Sequence, residues 1–274
     1  MTHDAPDWFK DSIAQLNDPQ NLRVWSIIVS LFGDLAQKPG DQISGGALTR
    51  IITPMGIKPE AIRVALHRLR KDGWIESARS GRVSVHYLTK FGRSQSAAVT
   101  PRIYARSAPP TQAWHLLIAE DGSGQSALED ALLLPQYTSI NRTTALGQGS
   151  GGSSAARAFE DLLVVTASDL KAPRWLQSRL FPGDLVQSCR NLEQALTTIA
   201  PALRSATEIT PVQIATLRTL IVHHWRRIAL RHPDLPESFH PDDWLGEACR
   251  ARVFQLLDTL PQPSPPALDL ATGN

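Results

Sequence analysis

Between Asn21 and Ala36 the apolar residues fall into two stripes. Leu22, Trp25, Val29 and Phe32 form one; Val24, Ile28, Leu31 and Leu35 form the other. Spacings of three, four and seven residues predict a helix. A helix apolar along two sides is covered on both, so this one is expected to pack on its own domain and on another domain or subunit. Lys38-Pro39-Gly40-Asp41 reads as a turn. Ser44 then offers an N-cap to a short helix carrying Leu48, Ile51 and Ile52, stopped by Pro54-Met55-Gly56. Pro59 and Glu60 suit the first turn of the next helix, which runs to Asp72 with Gly73 at the C′ position. Its apolar side is Ile62, Ala65, Leu66 and Leu69, while Arg63, His67, Arg70 and Lys71 project together on an outward side.

After Gly73 the period changes from that of a helix to alternation. Trp74–Ala78 and Val83–Leu88 read as strands joined at Arg79-Ser80-Gly81-Arg82, with Val83, Val85 and Tyr87 alternating against Ser84 and His86. Residues 94–111 have linker composition. Trp114–Ala119 and Asp161–Ala167 are expected strands, Gln125–Leu134 a short helix, and Gly147–Ser154 a Gly/Ser loop. Helices are expected over Leu185–Leu203, Val212–Ala229 and Pro241–Leu260. Four prolines in Pro261–Asn274 suggest a disordered tail. The fold class is therefore multidomain α+β. A lead over 1–20 precedes a domain over 21–96, a central α+β domain over 97–184 and a helical domain over 185–260, with the tail over 261–274.

Composition changes this picture in one place. The chain of 274 residues carries a net charge of only +2, but Lys58 to Arg93 alone holds nine basic and three acidic residues, a local +6 that leaves −4 elsewhere. Such a patch on a near-neutral protein suits a polyanion. Cys189 and Cys249 are remote from one another and form no motif, which points to a reduced, cytoplasmic protein. The first ten residues lack the apolar stretch of a signal peptide, and no run is long enough to span a membrane.

Helix, short helix, turn, basic helix and two-stranded wing, in that order, describe a winged helix-turn-helix. A helix fits the major groove, where base edges are distinguishable. Lys58, Arg63, His67, Arg70 and Lys71 are the candidates to meet phosphates and base edges there. Arg79 and Arg82 at the wing tip would reach the adjacent backbone, with Ser77 and Ser80 adding hydroxyl contacts. The expected partner is double-stranded operator DNA.

Several of these segments also resemble the PaaX family of transcriptional repressors. Ser26–Asp34 (SIIVSLFGD) is similar to the family's opening helix, and Ile57–Trp74 (IKPEAIRVALHRLRKDGW) to its basic helix. The segment Ser80-Gly81-Arg82 to Tyr87-Leu88-Thr89 is similar to its wing. Leu220–Arg227 (LIVHHWRR), Asp234-Leu235-Pro236 and Asp243-Trp244-Leu245-Gly246 are similar to its C-terminal part. The resemblance implies a homodimer bound to a palindromic operator and a ferredoxin-like central domain. It also implies repression of phenylacetate-type catabolic genes, relieved by an aryl-CoA thioester.

Other clusters carry chemistry of their own. His223, Arg226, Arg227 and Arg231 crowd one helix end and could bind the phosphates of such an effector, or simply favour the helix C-terminus. His223, His232, His240 and Cys249 have no standard zinc spacing. Gly147, Gly149, Gly151 and Gly152 lack the Lys-Ser/Thr of a phosphate loop, and Asp242-Asp243 read as a helix start. No cofactor or metal is expected, and the chain reads as a non-enzyme. The alternative is a metal-dependent nuclease or other enzyme on the central domain, targeted by the winged helix, for which Asp169 is the candidate metal ligand.

Overall fold

The computed structural model describes all residues except 1–5, 19–22, 82, 108–112, 135, 150–158, 168, 232–234, 236 and 271–274. The chain is mixed α+β and forms two compact units. Unit 1 comprises residues 1–107, 187–231 and 245–274; unit 2 comprises 108–186 and 232–244.

Unit 1 begins with α1 (Asp7–Leu16), α2 (Val24–Leu35), β1 (Ile43–Ser44) and α3 (Gly45–Ile52). It continues through α4 (Pro59–Lys71), β2 (Ile75–Ser80), β3 (Val83–Leu88) and α5 (Lys90–Ile103). The three strands pair antiparallel in the order β1-β3-β2. Ser44 caps α3 as expected, accepting from the Ala47 amide at 3.0 Å. Among later elements, α8 (Gly183–Ser205) begins in unit 2 and ends in unit 1, where it is followed by α9 (Pro211–Ala229), α10 (Gly246–Thr259) and α11 (Pro265–Leu270).

The centre of unit 1 is α9, which packs against α1, α2, α3, α5, α10 and α11. It starts with a capping box, Thr210 accepting from the Gln213 amide while the Gln213 side chain accepts from the Thr210 amide. From Ala215 to His223 every side chain is buried. The two apolar stripes of α2 are accounted for by α4 and α5 and by this central helix. Three polar pairs cross the α2–α9 contact. Arg226 reaches the Ser26 hydroxyl at 3.4 Å, His223 Nδ1 meets the Ser30 hydroxyl at 3.2 Å, and Arg218 grips Asp34 through Nε at 2.8 Å and Nη2 at 2.9 Å. The numbers rise on one helix as they fall on the other, so the helices are antiparallel. Polar groups buried in an apolar contact are stable only when paired, so this ladder fixes the register.

Several expectations change here. Residues 94–103 are not a linker but part of α5, capped by Thr89 and held to α9 by the Trp225 indole N–H donating to the Ile103 carbonyl at 2.8 Å. The 1–20 lead contains α1, whose Phe9, Ile13 and Leu16 are buried. The proline-rich tail is ordered through Leu270: Leu268 is fully buried, its carbonyl accepts from Arg50 at 2.7 Å, and Asp269 accepts from Ser44 at 2.5 Å. Prolines at the start of a helix are compatible with it, and the composition concealed that. The last long helix begins at Gly246, not Pro241. Cys189 and Cys249 come together as buried free thiols, the hydrogen bond between them and burial raising the pKa of Cys249.

Unit 2 contains β4 (Trp114–Ala119), α6 (Gln125–Leu132), β5 (Tyr137–Asn141), β6 (Thr144–Gln148), β7 (Leu162–Ala167) and α7 (Arg174–Leu180). Its four strands are antiparallel in the order β5-β6-β4-β7. One face packs Leu117, Ala119 and Ala145 on Leu128 and Ala131 of α6. The other packs Trp114 and Leu146 on Leu176 and Leu180 of α7. The β5–β6 hairpin had no clear signal in the sequence. Gly147 belongs to β6 rather than to a loop, paired with Tyr137 on one side and His115 on the other, and a Cβ there would lie 2.4 Å from the Tyr137 ring and 2.5 Å from His115. Most of the Gly/Ser loop lies outside the described residues.

Candidate nucleic-acid interface

Helix α4 is built as its sequence demands. Pro59 opens it and Glu60 lies in the positive first turn. At its end Gly73 takes φ 72°, its N–H bonds to the Arg70 carbonyl, and the Trp74 N–H bonds to the Leu69 carbonyl. That pair of bonds is a Schellman cap, which needs a residue at ease with positive φ. Ile62, Ala65, Leu66 and Leu69 are buried against the rest of unit 1. Lys58, Arg63, His67, Arg70 and Lys71 are all exposed, so the predicted outward side is free. Arg63 pairs with Glu60 at 2.6 Å, and Arg68 with Asp72 at 3.6 Å while lying 5.7 Å from the Trp25 ring. Both ion pairs are exposed and weak, so these guanidinium groups stay available to a competing anion.

The hairpin beside α4 extends further than the alternation suggested, pairing as far as Ser80 with Val83. Gly81 takes φ 62° at the tip, and Arg82 lies outside the described residues. Arg79 and Ser80 are exposed. Ser77 is half-buried, with its hydroxyl 2.7 Å from His86 Nδ1. The expected burial of β3 is partly reversed: Val83 is exposed and His86 buried. Val83 sits at the protruding tip, whereas His86 is paired with Ile43 of β1. Burial and the nearby Arg70 charge both lower the His86 pKa, so this imidazole stays neutral in the hairpin.

The joint to α5 is tight. Thr89 donates to the Gly73 carbonyl at 2.6 Å and accepts from the Gly92 amide at 2.9 Å. A Cβ on Gly92 would lie 2.2 Å from the Trp74 carbonyl oxygen. The end of α4, the hairpin and the start of α5 are thereby fixed to one another.

The second predicted cluster is different in kind. His223 is buried, and desolvation, followed by the charges of His224, Arg227 and Arg226, lowers its pKa to about 3. His224 is lowered to about 4, chiefly by burial and then by Arg227. Arg226 and Arg227 are half-buried and Arg231 is exposed. Arg226 borders a cleft of about 350 Å³ with Val29, Trp74, Ser96, Ile103 and Tyr104. His223 is thus a neutral partner of Ser30 rather than a cation. For the zinc set, His232 lies outside the described residues, and among the described residues no group of three or more His, Cys, Asp or Glu side chains is placed to hold a metal. Asp169 is exposed. Among the described residues no helix is long and apolar enough to cross a membrane.

The family model described as PaaX-like protein matches residues 23–92, which include α2 through β3. The model described as PaaX-like protein C-terminal domain matches residues 183–268, and the two together span more than half of the chain. Over 241 residues the chain is 27% identical to the transcriptional repressor PaaX of Escherichia coli (strain K12), covering 82% of this chain and 76% of that protein. In fold it resembles the solved structure of the Mycobacterium tuberculosis protein Rv0674, with a TM-score of 0.50 at 20% identity, over 90% of this chain and 98% of that one. The matched segments fall on the basic helix and its hairpin and on the central helices of unit 1; the chain belongs to the PaaX-like family.

Proposed function

We propose that the chain is a DNA-binding transcriptional repressor whose α2–β3 segment is a winged helix-turn-helix. The observation that carries this reading is the outward side of α4, where Arg63, His67, Arg70 and Lys71 stand exposed next to a hairpin presenting Arg79 and Ser80. In this reading α4 enters the major groove, Lys58 lies at its N-terminal end, and the wing follows the flanking backbone. Ser77 steadies the wing through His86, leaving phosphate contact there to Arg79, Ser80 and Arg82. Unit 2 is a ferredoxin-like domain, a reading supported by its strand order. A homodimer would set two basic helices in successive major grooves about 34 Å apart.

The family relationship supports repression of phenylacetate-type catabolic genes, with no catalytic step. Relief by an aryl-CoA thioester belongs to the same proposal. Arg226, Arg227 and Arg231 are the candidate phosphate partners, and His223, being neutral, serves the α2–α9 register instead. A thermal-shift comparison of phenylacetyl-CoA with free CoA tests this part: stabilisation by the thioester alone supports it, and no shift with either refutes it.

DNA binding is tested by fluorescence anisotropy on duplexes containing the upstream regions of the gene and its neighbours. Arg63→Ala and Arg70→Ala are each expected to weaken binding while leaving the thermal melt unchanged. Each should also reduce the slope of log affinity against log salt by about 1. Unchanged binding and unchanged slope in both variants would refute the docking of α4.

A further inference from the structure

The outward side of α4 is not uniformly cationic. Glu60, Val64, His67 and Lys71 follow one another at i, i+4, i+7 and i+11. At 3.6 residues per turn this places them along one ridge, opposite the buried Ile62, Ala65, Leu66 and Leu69. Arg63 and Arg70 lie to one side of the ridge and Arg68 to the other. The middle of the ridge is therefore held by Val64 and His67, and Val64, its one apolar member, is 70% exposed. A single exposed valine is unremarkable by itself. Its position is what calls for a reason: the apolar side chain stands where a groove-bound helix comes nearest the base edges.

We infer that Val64 reads the C5 methyl group of a thymine, so that it sets sequence preference while the surrounding cations supply affinity. The inference rests on the DNA-binding reading above. In the major groove the base pairs present hydrogen-bond donors and acceptors and one apolar group, the thymine methyl. Valine has no polar atom to offer a phosphate or a base amide, so the methyl is the complementary partner. Its β-branched side chain is stiff about χ1 in a helix, so its two methyl groups are already fixed before contact. The arginines on either flank are placed for the two phosphate backbones that border the groove, which leaves the central ridge to the floor.

The test uses the full-length chain and double-stranded DNA that it selects from a random pool. Each thymine of the selected duplex is replaced in turn by uracil, which lacks only the C5 methyl group. At one thymine of each half-site, wild-type affinity is expected to fall about fourfold, the equivalent of one buried methylene. Val64→Ala should bind the thymine duplex more weakly and should not distinguish thymine from uracil at that position. Alanine has the higher helix propensity, so a loss of binding would not come from unwinding α4, and a circular dichroism melt checks this. Arg70→Ala, in contrast, should weaken binding to every sequence and keep the thymine preference. The inference is overturned if no uracil substitution weakens the wild type, or if Val64→Ala keeps the wild-type penalty. If the pool yields no enriched sequence, the DNA-binding reading itself fails and takes this inference with it.

Discussion

Replacing Asp34 with alanine should cost unit 1 far more than the loss of one hydrogen bond. The Asp34 side chain is 1% exposed and that of Arg218 8%, and they meet through two parallel N–H···O bonds. The remaining nitrogen of Arg218 donates to the Leu257 and Leu260 carbonyls at 3.2 and 2.6 Å, at the end of α10. Tyr104 donates to the same carboxylate at 2.7 Å. Without Asp34 the guanidinium keeps two neutral acceptors and loses its paired counter-charge, while Asp258, which also feels the Arg218 charge, stays held by Arg106. Stranding a buried charge in this way costs about 3–5 kcal/mol, a large share of a typical stability of about 5–15 kcal/mol. Tyr104→Phe leaves the ion pair intact and removes one bond to a charged acceptor, so about 1.5 kcal/mol is expected. Guanidinium unfolding, followed by circular dichroism and tryptophan fluorescence, measures both. The combination Asp34→Leu with Arg218→Met should recover most of the loss, since apolar replacement of a buried pair is commonly neutral. The reasoning fails if Asp34→Ala stays within about 1 kcal/mol of wild type, or if the double variant is no better than the single.

Gly92→Ala should lower the melting temperature by roughly 5–10 °C, because its Cβ would meet the Trp74 carbonyl, a backbone atom that cannot turn aside; an unchanged melt would refute the close approach. His223 and His224 have folded pKa values of about 3 and about 4, below the usual 6.5, so the unfolded chain takes up protons first as pH falls. Stability from these two groups is complete above about pH 6.5 and is lost as pH falls toward 4, each contributing a slope of up to about 1.4 kcal/mol per pH unit. Urea titrations at pH 7 and pH 5 measure that loss, and His223→Asn should remove about half of it.

What could be read in advance followed local chemistry. The N-cap at Ser44, the proline start and glycine end of α4, and the split between its buried and basic sides are properties of adjacent residues, and all were legible. The hairpin was found because its turn and alternation are local, yet the burial of His86 was not, since it depends on β1, two residues long and remote in sequence. The β5–β6 hairpin escaped for a related reason. Its strands are rich in Thr, Ser, Asn and Gly, and what holds Gly147 in place is contact with Tyr137 and His115 across the sheet. The linker-like residues of α5 and the proline-rich α11 were misread because composition describes what a segment prefers alone. Trp225 and Arg50, which hold them, lie far away in the chain.

The same long-range contacts imply that the segment proposed to read DNA does not fold by itself. In many regulators a winged helix can be cut out as a small domain, and the family match over residues 23–92 invites that experiment. Here α2 presents Ser26, Ser30 and Asp34 to α9, and the short helix α3 is covered by the same partner, the Thr216 hydroxyl donating to the Ile51 carbonyl at 2.9 Å. Removing residues after 107 would uncover an apolar side of α2 and leave a buried carboxylate and two hydroxyls facing water on an otherwise oily surface. A fragment of residues 1–107 is therefore expected to lack a cooperative melt and to bind the dye ANS, whereas 1–107 mixed with a peptide spanning Thr210–Leu230 should regain helical signal. A fragment that melts cooperatively alone and binds DNA as the full chain does would show that α9 is an appended layer. If it is not, any ligand or partner that shifts α9 shifts α2, and through α2 the basic helix packed against it.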